Sequence, residues 1–215
     1  MPRRRLFWAA VLLTLLGGWL LGQAGVVHAK AWLAQVLLEQ AWQRSLEAPQ
    51  GHVALRPWPW ADSHPVGRLR VPGLGVDQIV LAGASGRSMA FGPAHLDGSA
   101  APGAAGHSLL FGHRDTHFRF LQALALGDAL RVQGRDGLWR DYRVADLQVV
   151  DAREAQLLPS DGAARLSLVT CYPFDSIDPG GPLRYVVHAV AVSGPDVEDV
   201  EPDLLVADHV EAARL

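Results

Sequence analysis

The chain has 215 residues, and its content of 49% hydrophobic and 19% charged residues excludes a disordered chain and allows one domain with appendages. The formal net charge of −3 provides no basic excess, which disfavours nucleic acid as a partner. The single cysteine excludes an internal disulfide and any zinc site built from cysteine pairs.

The N-terminal segment has the pattern of a membrane-spanning helix. Arg3, Arg4 and Arg5 precede residues 6–27, a run of 22 residues without a charged side chain. At about 1.5 Å per residue this run is about 33 Å long, enough to cross a hydrocarbon core of about 30 Å. We interpret residues 1–29 as a cytoplasmic stub and an uncleaved signal anchor, with the rest of the chain on the other side of the membrane. The alternative is a signal peptide that is cleaved after Ala29.

Residues 30–60 are predicted to form an amphipathic helix followed by a linker. The helix pattern runs from Lys30 to Glu47, and Pro49-Gln50-Gly51 ends it. We expect the apolar face to pack on the chain's own domain, with a position along the membrane as the alternative. Spacings of three and four place Gln35, Glu39, Gln40, Gln43, Arg44 and Glu47 on the polar face, and Trp32, Leu33, Val36, Leu37, Ala41 and Trp42 on the apolar face.

The linker contains two prolines that alternate with two tryptophans. Pro57 and Pro59 exclude a helix interior and a central strand between residues 56 and 62. We therefore predict an extended segment, with the indoles of Trp58 and Trp60 covering an edge of the following domain.

Residues 61–194 are predicted to form a domain made mainly of strands. Residues 134–137 (Gly-Arg-Asp-Gly) are typical of a hairpin turn, and residues 118–126 fit one short helix. Eight short strands with so little helix favour a closed β-barrel or a sandwich. Glycine, proline, aspartate or serine bounds each candidate strand; these strands are residues 66–71, 76–82, 87–91, 108–112, 128–133, 138–150, 165–170 and 184–193.

The last segment, residues 195–215, has a different composition. Five acidic residues lie between positions 196 and 203 without a basic one. This pattern predicts a solvated, mobile tail, and a role in partner binding is the alternative.

Cys171 is the candidate nucleophile. It directly follows the strand-like residues 165–170 and precedes Tyr172-Pro173, where proline stops regular strand pairing. A thiol at such a strand end reaches solvent, and with histidine and arginine partners it has the composition of a nucleophilic site. The alternative is a buried cysteine that acts as a small apolar side chain.

His113 and Arg184 are the candidate partners of Cys171. His113 directly follows a strand-like run, as Cys171 does, so two neighbouring strands that end at one rim would bring imidazole and thiol together. Arg184 begins the last strand, and its guanidinium there offers fixed donors for an oxyanion. His113 and His117 have the spacing of a metal pair on a helix, but no carboxylate motif accompanies them, so we disfavour a metal site.

These segments in their order resemble the sortases, a family of membrane-anchored cysteine transpeptidases with an eight-stranded β-barrel. The Gly-His pair, the Thr-Cys pair and the arginine of that family correspond to Gly112-His113, Thr170-Cys171 and Arg184. The resemblance covers roughly residues 30–192 and extends to the sortase class of Gram-negative bacteria. That class carries stretches similar to residues 57–62, 90–93, 112–118, 169–174 and 180–185.

The resemblance implies a role for each matching residue. Cys171 would be the nucleophile, His113 the general acid and base, and Arg184 the group that stabilises the substrate carbonyl and the oxyanion. Thr170, Asp115 and Tyr172 are further candidates for substrate binding. No cofactor is implied, and the sequence has no acidic cluster that supports the calcium site of some relatives.

The resemblance also implies the reaction and its place in the cell. The enzyme would cut a C-terminal sorting signal of a surface protein, form a thioester and pass the polypeptide to an amine acceptor. It would be anchored once in the inner membrane of a bacterium, with its N-terminus in the cytoplasm and its catalytic domain on the periplasmic side. Two other functions stay open: a cysteine hydrolase on the same barrel, and a non-catalytic domain that binds an envelope protein.

Overall fold

The computed structural model describes residues 2–48, 54–154, 163–176 and 180–192. The predicted helix end at Pro49-Gln50-Gly51, Ser193 and the predicted tail lie outside these residues. Two short 3-10 helices cover Pro72–Leu74 and Arg119–Ala123. The other elements are α1 (Pro2–Glu47), β1 (Pro65–Val71), β2 (Val76–Ala82), α2 (Gly86–Met89), β3 (Ala94–His95), β4 (His107–Phe111), β5 (Ala129–Gln133), β6 (Trp139–Asp151), β7 (Arg165–Cys171) and β8 (Leu183–Ala191).

Helix α1 joins the predicted span and the predicted amphipathic helix in one continuous element of 46 residues. Among the described residues it is the one helix that is long and apolar enough to cross a membrane, and its most apolar part is not buried by the rest of the chain. The expected packing of its second half on the chain's own domain is confirmed, because Leu38 and Trp42 form a buried cluster with Ile79 and Leu81 of β2.

The face that α1 presents to the barrel differs from the predicted one. Trp32 and Leu33 are exposed, whereas the buried side chains are Ala34, Leu38, Ala41, Trp42 and Ser45. The predicted face was right for Ala41 and Trp42, but it missed Ala34, Leu38 and Ser45. The small side chains at positions 34, 41 and 45 let the helix lie closely on the strands. Trp42 Nε1 donates a hydrogen bond to Gln133 Oε1 at 3.3 Å, and Arg68 Nη1 donates to Glu39 Oε1 at 2.7 Å.

The eight strands close into a barrel in the order β1-β2-β3-β4-β7-β8-β6-β5. This closure confirms the predicted barrel and excludes the sandwich. Strand β7 lies between β4, its parallel neighbour, and β8, its antiparallel neighbour. Leu166 and Leu168 of β7 and Val187 and Ala189 of β8 belong to the interior core. Since successive side chains of a strand alternate between the two faces, the odd-numbered residues of β7 and the even-numbered residues of β8 lie outside.

Two predicted elements are corrected by the structure. The expected strand at residues 87–91 is wrong, because Ser85 caps the short helix α2 by accepting a hydrogen bond from Ser88 N at 3.2 Å. The next strand, β3, begins three residues later at Ala94 and is only two residues long. The helix expected at residues 118–126 is a shorter 3-10 helix, Arg119–Ala123. The predicted hairpin turn is confirmed, since Gly137 N donates to Gly134 O at 3.0 Å.

The two tryptophans of the linker have different environments. The Trp58 ring packs edge-on against Phe91 with 5.3 Å between centroids. Trp60, however, is 79% exposed, so the expectation that both indoles cover the domain is wrong for Trp60. A turn explains the difference: Ala61 N donates to Trp58 O at 3.0 Å, which leaves Trp60 at the tip of the turn.

Candidate active site

The strand register brings the three predicted catalytic residues to one rim of the barrel. Cys171 is paired directly with Arg184 across β7 and β8. On the other side of β7, Phe111 of β4 is paired with Val169, so that His113 and Cys171 each come two residues after a paired position. Paired residues of neighbouring strands point to the same face. Cys171 and Arg184 therefore lie side by side on the outer face, and the segment that carries His113 leaves β4 beside the end of β7.

The segments of His113 and Cys171 stay together beyond the last paired residues. Gly112 N donates to Val169 O at 3.2 Å, and the hydroxyl of Thr170 donates to Gly112 O at 2.7 Å. Thr170 is only 2% exposed and points into the barrel. Its hydrogen bond to Gly112 O therefore connects the segment of His113 to β7 from the inside of the barrel. The Thr170 side chain does not face the outer surface, where Cys171 lies.

Gly112 is required by a close approach of Phe118. A Cβ atom at this position would lie 2.7 Å from Cγ of the buried Phe118 ring, which is closer than real Cβ contacts. Phe118 N donates to His113 O at 2.9 Å, so the chain turns back immediately after the histidine. This packing explains why glycine precedes His113: Gly112 leaves room for the Phe118 ring, which closes the turn. His113 lies exposed at the start of that turn.

The three candidate side chains have different exposure. Cys171 and Arg184 are half-buried, and His113 is exposed. Cys171 is therefore not the fully buried cysteine of the alternative interpretation. Arg184 Nη1 donates to the carbonyl oxygens of Gly181 at 2.6 Å and Leu183 at 2.8 Å, so the loop before β8 holds this guanidinium.

The pKa of Asp151 shows that its carboxylate is close enough to interact with the charge of Arg184. The hydrogen bonds from Arg153 are the largest cause that lowers the pKa of the Asp151 carboxyl to about 2, and the charge of Arg184 is a smaller one. Asp151 is paired with Leu183, the residue before Arg184. The end of β6 therefore places the Asp151 carboxylate near Arg184, but the main partner of this carboxylate is Arg153.

His117 fixes the turn that begins at His113. Burial lowers the pKa of His117, a hydrogen bond to the backbone of Ala90 opposes this shift, and the charge of His113 lowers the pKa further. Gln78 Nε2 donates to the backbone oxygen of His117 at 3.0 Å. His117 is therefore a packing residue that ties the rim to β2 and to the segment after α2.

A cavity of about 590 Å³ is lined by the segments that follow His113 and Cys171, and none of the three candidate catalytic side chains is among the described residues that line it. Asp115 and Tyr172, the neighbours of His113 and Cys171 in sequence, are among its lining residues, together with Arg119 and Phe174. The Tyr172 ring stacks on Tyr185 with 6.3 Å between centroids, and Phe174 packs edge-on against Tyr185 at 5.3 Å. Two of the predicted substrate-binding residues thus share one concave surface with an aromatic wall.

A second polar row, which was not predicted from the sequence, lies on the same face of the barrel. We call it the histidine network: His107 of β4, Ser167 of β7, His188 of β8 and Gln148 of β6. Ser167 Oγ lies 2.6 Å from His107 Nε2 and 2.7 Å from His188 Nδ1, and Gln148 Nε2 lies 2.6 Å from His188 Nε2. Burial is the largest cause that lowers the pKa of both His107 and His188. Both imidazoles are therefore neutral at neutral pH.

The histidine network could have been found only from the register. Its members come from four strands, and none of them belongs to a local sequence motif.

Within residues 2–48, 54–154, 163–176 and 180–192, no group of three or more His, Cys, Asp or Glu side chains is arranged to hold a metal ion.

Comparison with known proteins assigns the fold and the site to a family. The profile described as the sortase domain matches residues 69–192, which is more than half of the chain. The chain belongs to the sortase family. The matched region includes His113, Cys171 and Arg184, and the apolar part of α1, which is long enough to cross a membrane, precedes it.

The similar proteins are sortases of several types. Sortase D of Bacillus subtilis (strain 168) is 29% identical over 128 residues, 59% of this chain and 64% of that protein, so the chain spans somewhat less than two thirds of this relative. Sortase C-1 of Actinomyces oris is 29% identical with a TM-score of 0.52, covering 62% of this chain and 77% of that one. The Clostridium perfringens Sortase D5 transpeptidase, 17% identical, supports the fold, with a TM-score of 0.61 over 75% of this chain and 99% of that one.

Proposed function

We propose that this protein is a membrane-anchored cysteine transpeptidase that cleaves a C-terminal sorting signal of a surface protein and transfers the remaining polypeptide to an amine. The proposal rests on one observation, the register that aligns Cys171 with Arg184 and with the segment of His113. Membership of the sortase family supports it.

In the first half-reaction Cys171 acts as the nucleophile. Its proton passes to His113, because the thiolate is the reactive form of a cysteine. The Sγ atom forms a bond to the scissile carbonyl carbon, and the carbonyl oxygen becomes an oxyanion. When the C–N bond breaks, the imidazolium of His113 gives its proton to the departing amine, and a thioester remains on Cys171.

In the second half-reaction an amine replaces the departed segment. Its nitrogen attacks the thioester carbonyl, loses a proton to His113 and forms a new amide bond. The Cys171 sulfur leaves as a thiolate and recovers a proton from the same imidazole. Water in place of the amine would give a carboxylic acid, which is the hydrolase alternative.

We assign the stabilisation of both oxyanions to Arg184. A guanidinium keeps its proton and presents its N–H donors in a fixed plane. The carbonyl groups of Gly181 and Leu183 support this role, since they hold one end of the guanidinium. Asp115 and Tyr172 are proposed to contact the substrate, because they line the neighbouring cavity.

Residues 1–29 are proposed to anchor the enzyme in the bacterial inner membrane, with the catalytic domain, residues 61–194, on the periplasmic side. The apolar part of α1 and the arginines at positions 3–5 support this orientation. A substrate with its own membrane span would diffuse in the same plane, which raises its effective concentration at the enzyme.

The test is a transfer assay on the full chain in its native membranes with a fluorescent triglycine peptide as the amine. We expect surface protein that carries the label in the wild type and none with Cys171→Ala. Shortened protein without label, produced only by the wild type, would identify a hydrolase. No difference between the two proteins would exclude Cys171 from the chemistry.

A further inference from the structure

The continuous helix α1 fixes the height of the barrel above the membrane. The uncharged run ends at Val27, and α1 continues without a break to Glu47. At about 1.5 Å per residue, Gln35 lies about 12 Å and Leu46 about 28 Å beyond Val27 along the helix axis. Each contact between α1 and the barrel therefore has a defined distance from the end of the uncharged run along the helix axis.

These contacts follow a clear order along α1. Gln35 Nε2 donates to Phe91 O at 2.8 Å, near the membrane. Further up, Leu38 packs with Ile79 and Leu81. Near the top, a Cβ atom on Gly137 would lie 3.9 Å from Leu46 Cδ2. Along α1, the segment after α2 is thus the part of the barrel nearest the predicted membrane span, and the hairpin between β5 and β6 is the part farthest from it.

The part of the barrel nearest the predicted span carries exposed aromatic side chains. We call this surface the aromatic end and define it by Trp32, Trp58, Trp60 and Phe91. Trp60 is 79% and Trp32 is 69% exposed, and Phe91 is partly exposed beside Trp58. By the same spacing, Trp32 is about 7.5 Å beyond Val27, within the headgroup layer that extends about 5–8 Å from the hydrocarbon core. Tryptophan rings favour this layer.

We infer, on the basis of the membrane anchoring proposed above, that the aromatic end docks on the headgroup layer of the bilayer that α1 spans and turns the catalytic rim toward the membrane. The partner is the phospholipid surface itself. The link to the rim is short, since His117, four residues after His113, is hydrogen-bonded to the backbone of Ala90, the residue before Phe91.

Paramagnetic relaxation of the full chain in phosphatidylcholine nanodiscs tests this inference without any substrate. The tryptophans are labelled with fluorine, each resonance is assigned by a Trp→Phe variant, and the lipid headgroups carry a nitroxide. We expect the relaxation enhancement of Trp60 to be several-fold larger than that of Trp139. Trp139 is the internal control, because it lies opposite Gln133, near the upper contacts of α1.

The tryptophans within the span separate this inference from the anchoring on which it depends. Enhancement at Trp19 with equal effects at Trp60 and Trp139 would overturn the docking and leave the anchor. No enhancement at Trp19 would overturn both, while the transfer assay would still test the catalytic chemistry.

A change of height gives a second test. Seven inserted helical residues after Ala29 raise the barrel by about 10.5 Å and rotate it by only about 20°. We expect the enhancement at Trp60 to fall to that of Trp139, with Trp19 unchanged. An unchanged Trp60 signal would contradict the inference.

Discussion

The candidate rim, with His113, Cys171 and Arg184, belongs to the same β4, β7 and β8 strands as the histidine network. The two rows differ in their position along the barrel. In the network, Ser167 is 1% exposed and bonded to two imidazoles. At the rim, four residues further along β7, Cys171 is half-buried and His113 is exposed. The same β4, β7 and β8 strands therefore carry a bonded, structural row within the sheet and an accessible row at its end. Access to solvent, more than residue type, distinguishes the two rows.

The largest expected difference concerns arginine. Arg184→Lys should lower kcat/KM by about 10²–10³-fold, since a compact ammonium does not replace a planar donor group at an oxyanion. Arg153→Lys is the matched control, because Arg153 is 74% exposed and pairs with Asp151. It should retain nearly full activity, as exposed ion pairs contribute little. Steady-state kinetics with a labelled substrate compares the two, and similar activity for both variants would make Arg184 a structural residue.

Replacement of Ser167 in the histidine network should lower stability and leave catalysis unchanged. Ser167→Ala removes the hydroxyl that bridges His107 and His188, and we expect it to lower the free energy of unfolding by about 1–3 kcal/mol. Ser108→Ala is the control, since Ser108 is equally buried on the neighbouring β4, and among the described residues its hydroxyl has no hydrogen-bond partner. That variant should be neutral or slightly stabilising.

Urea unfolding of both serine variants measures this contrast, with the rate of thioester formation as the second readout. A large loss of activity in Ser167→Ala, at full stability, would mean that the two rows act as one site.

The smallest effect is a dependence of stability on pH. Burial lowers the folded-state pKa values of His107 and His188 below the ordinary value of about 6.5, so the unfolded chain binds more protons. Their stabilisation is full above pH 6.5 and is lost as the pH falls toward the folded pKa values. Arg165 disfavours protonation of both imidazoles, whereas Asp146 favours that of His188.

Urea unfolding between pH 7.5 and pH 5 checks this direction. We expect the loss of stability to be smaller in His188→Gln than in the wild type. A residual slope is expected from His64 and His117, whose pKa values burial also lowers. An equal slope in both proteins would contradict the structural role of the network.

The positions of Cys171 and Arg184 at neighbouring strand ends were predictable from the sequence, because strand ends have local signals. The runs before His113 and Cys171 are short and bounded by turn formers, and the turn between β5 and β6 has its own local signal. The number of strands favoured a closed barrel or a sandwich, and the resemblance to the sortases implied the barrel that the structure has. The local pattern and the assumption that two strands end together indicated this rim, and the resemblance to the sortases supplied the expected roles of its residues.

The rest was not predictable because it depends on packing between distant segments. The helix at Gly86–Met89 is too short to show a helical period of hydrophobic residues. Its formation depends on the N-terminal cap that Ser85 provides. The buried face of α1 is set by how closely Ala34 and Ser45 approach the strands. Likewise, Ser167 meets His107 and His188 only because β7 lies between β4 and β8.

The most direct measurement is the mass of the peptide containing Cys171 after the full chain has been incubated with its native membranes and acid-quenched. The account predicts a polypeptide adduct on Cys171 that hydroxylamine releases as expected for a thioester, and its absence in Cys171→Ala. Cleavage of surface protein with no adduct on Cys171, or an adduct that persists in Cys171→Ala, would contradict the account.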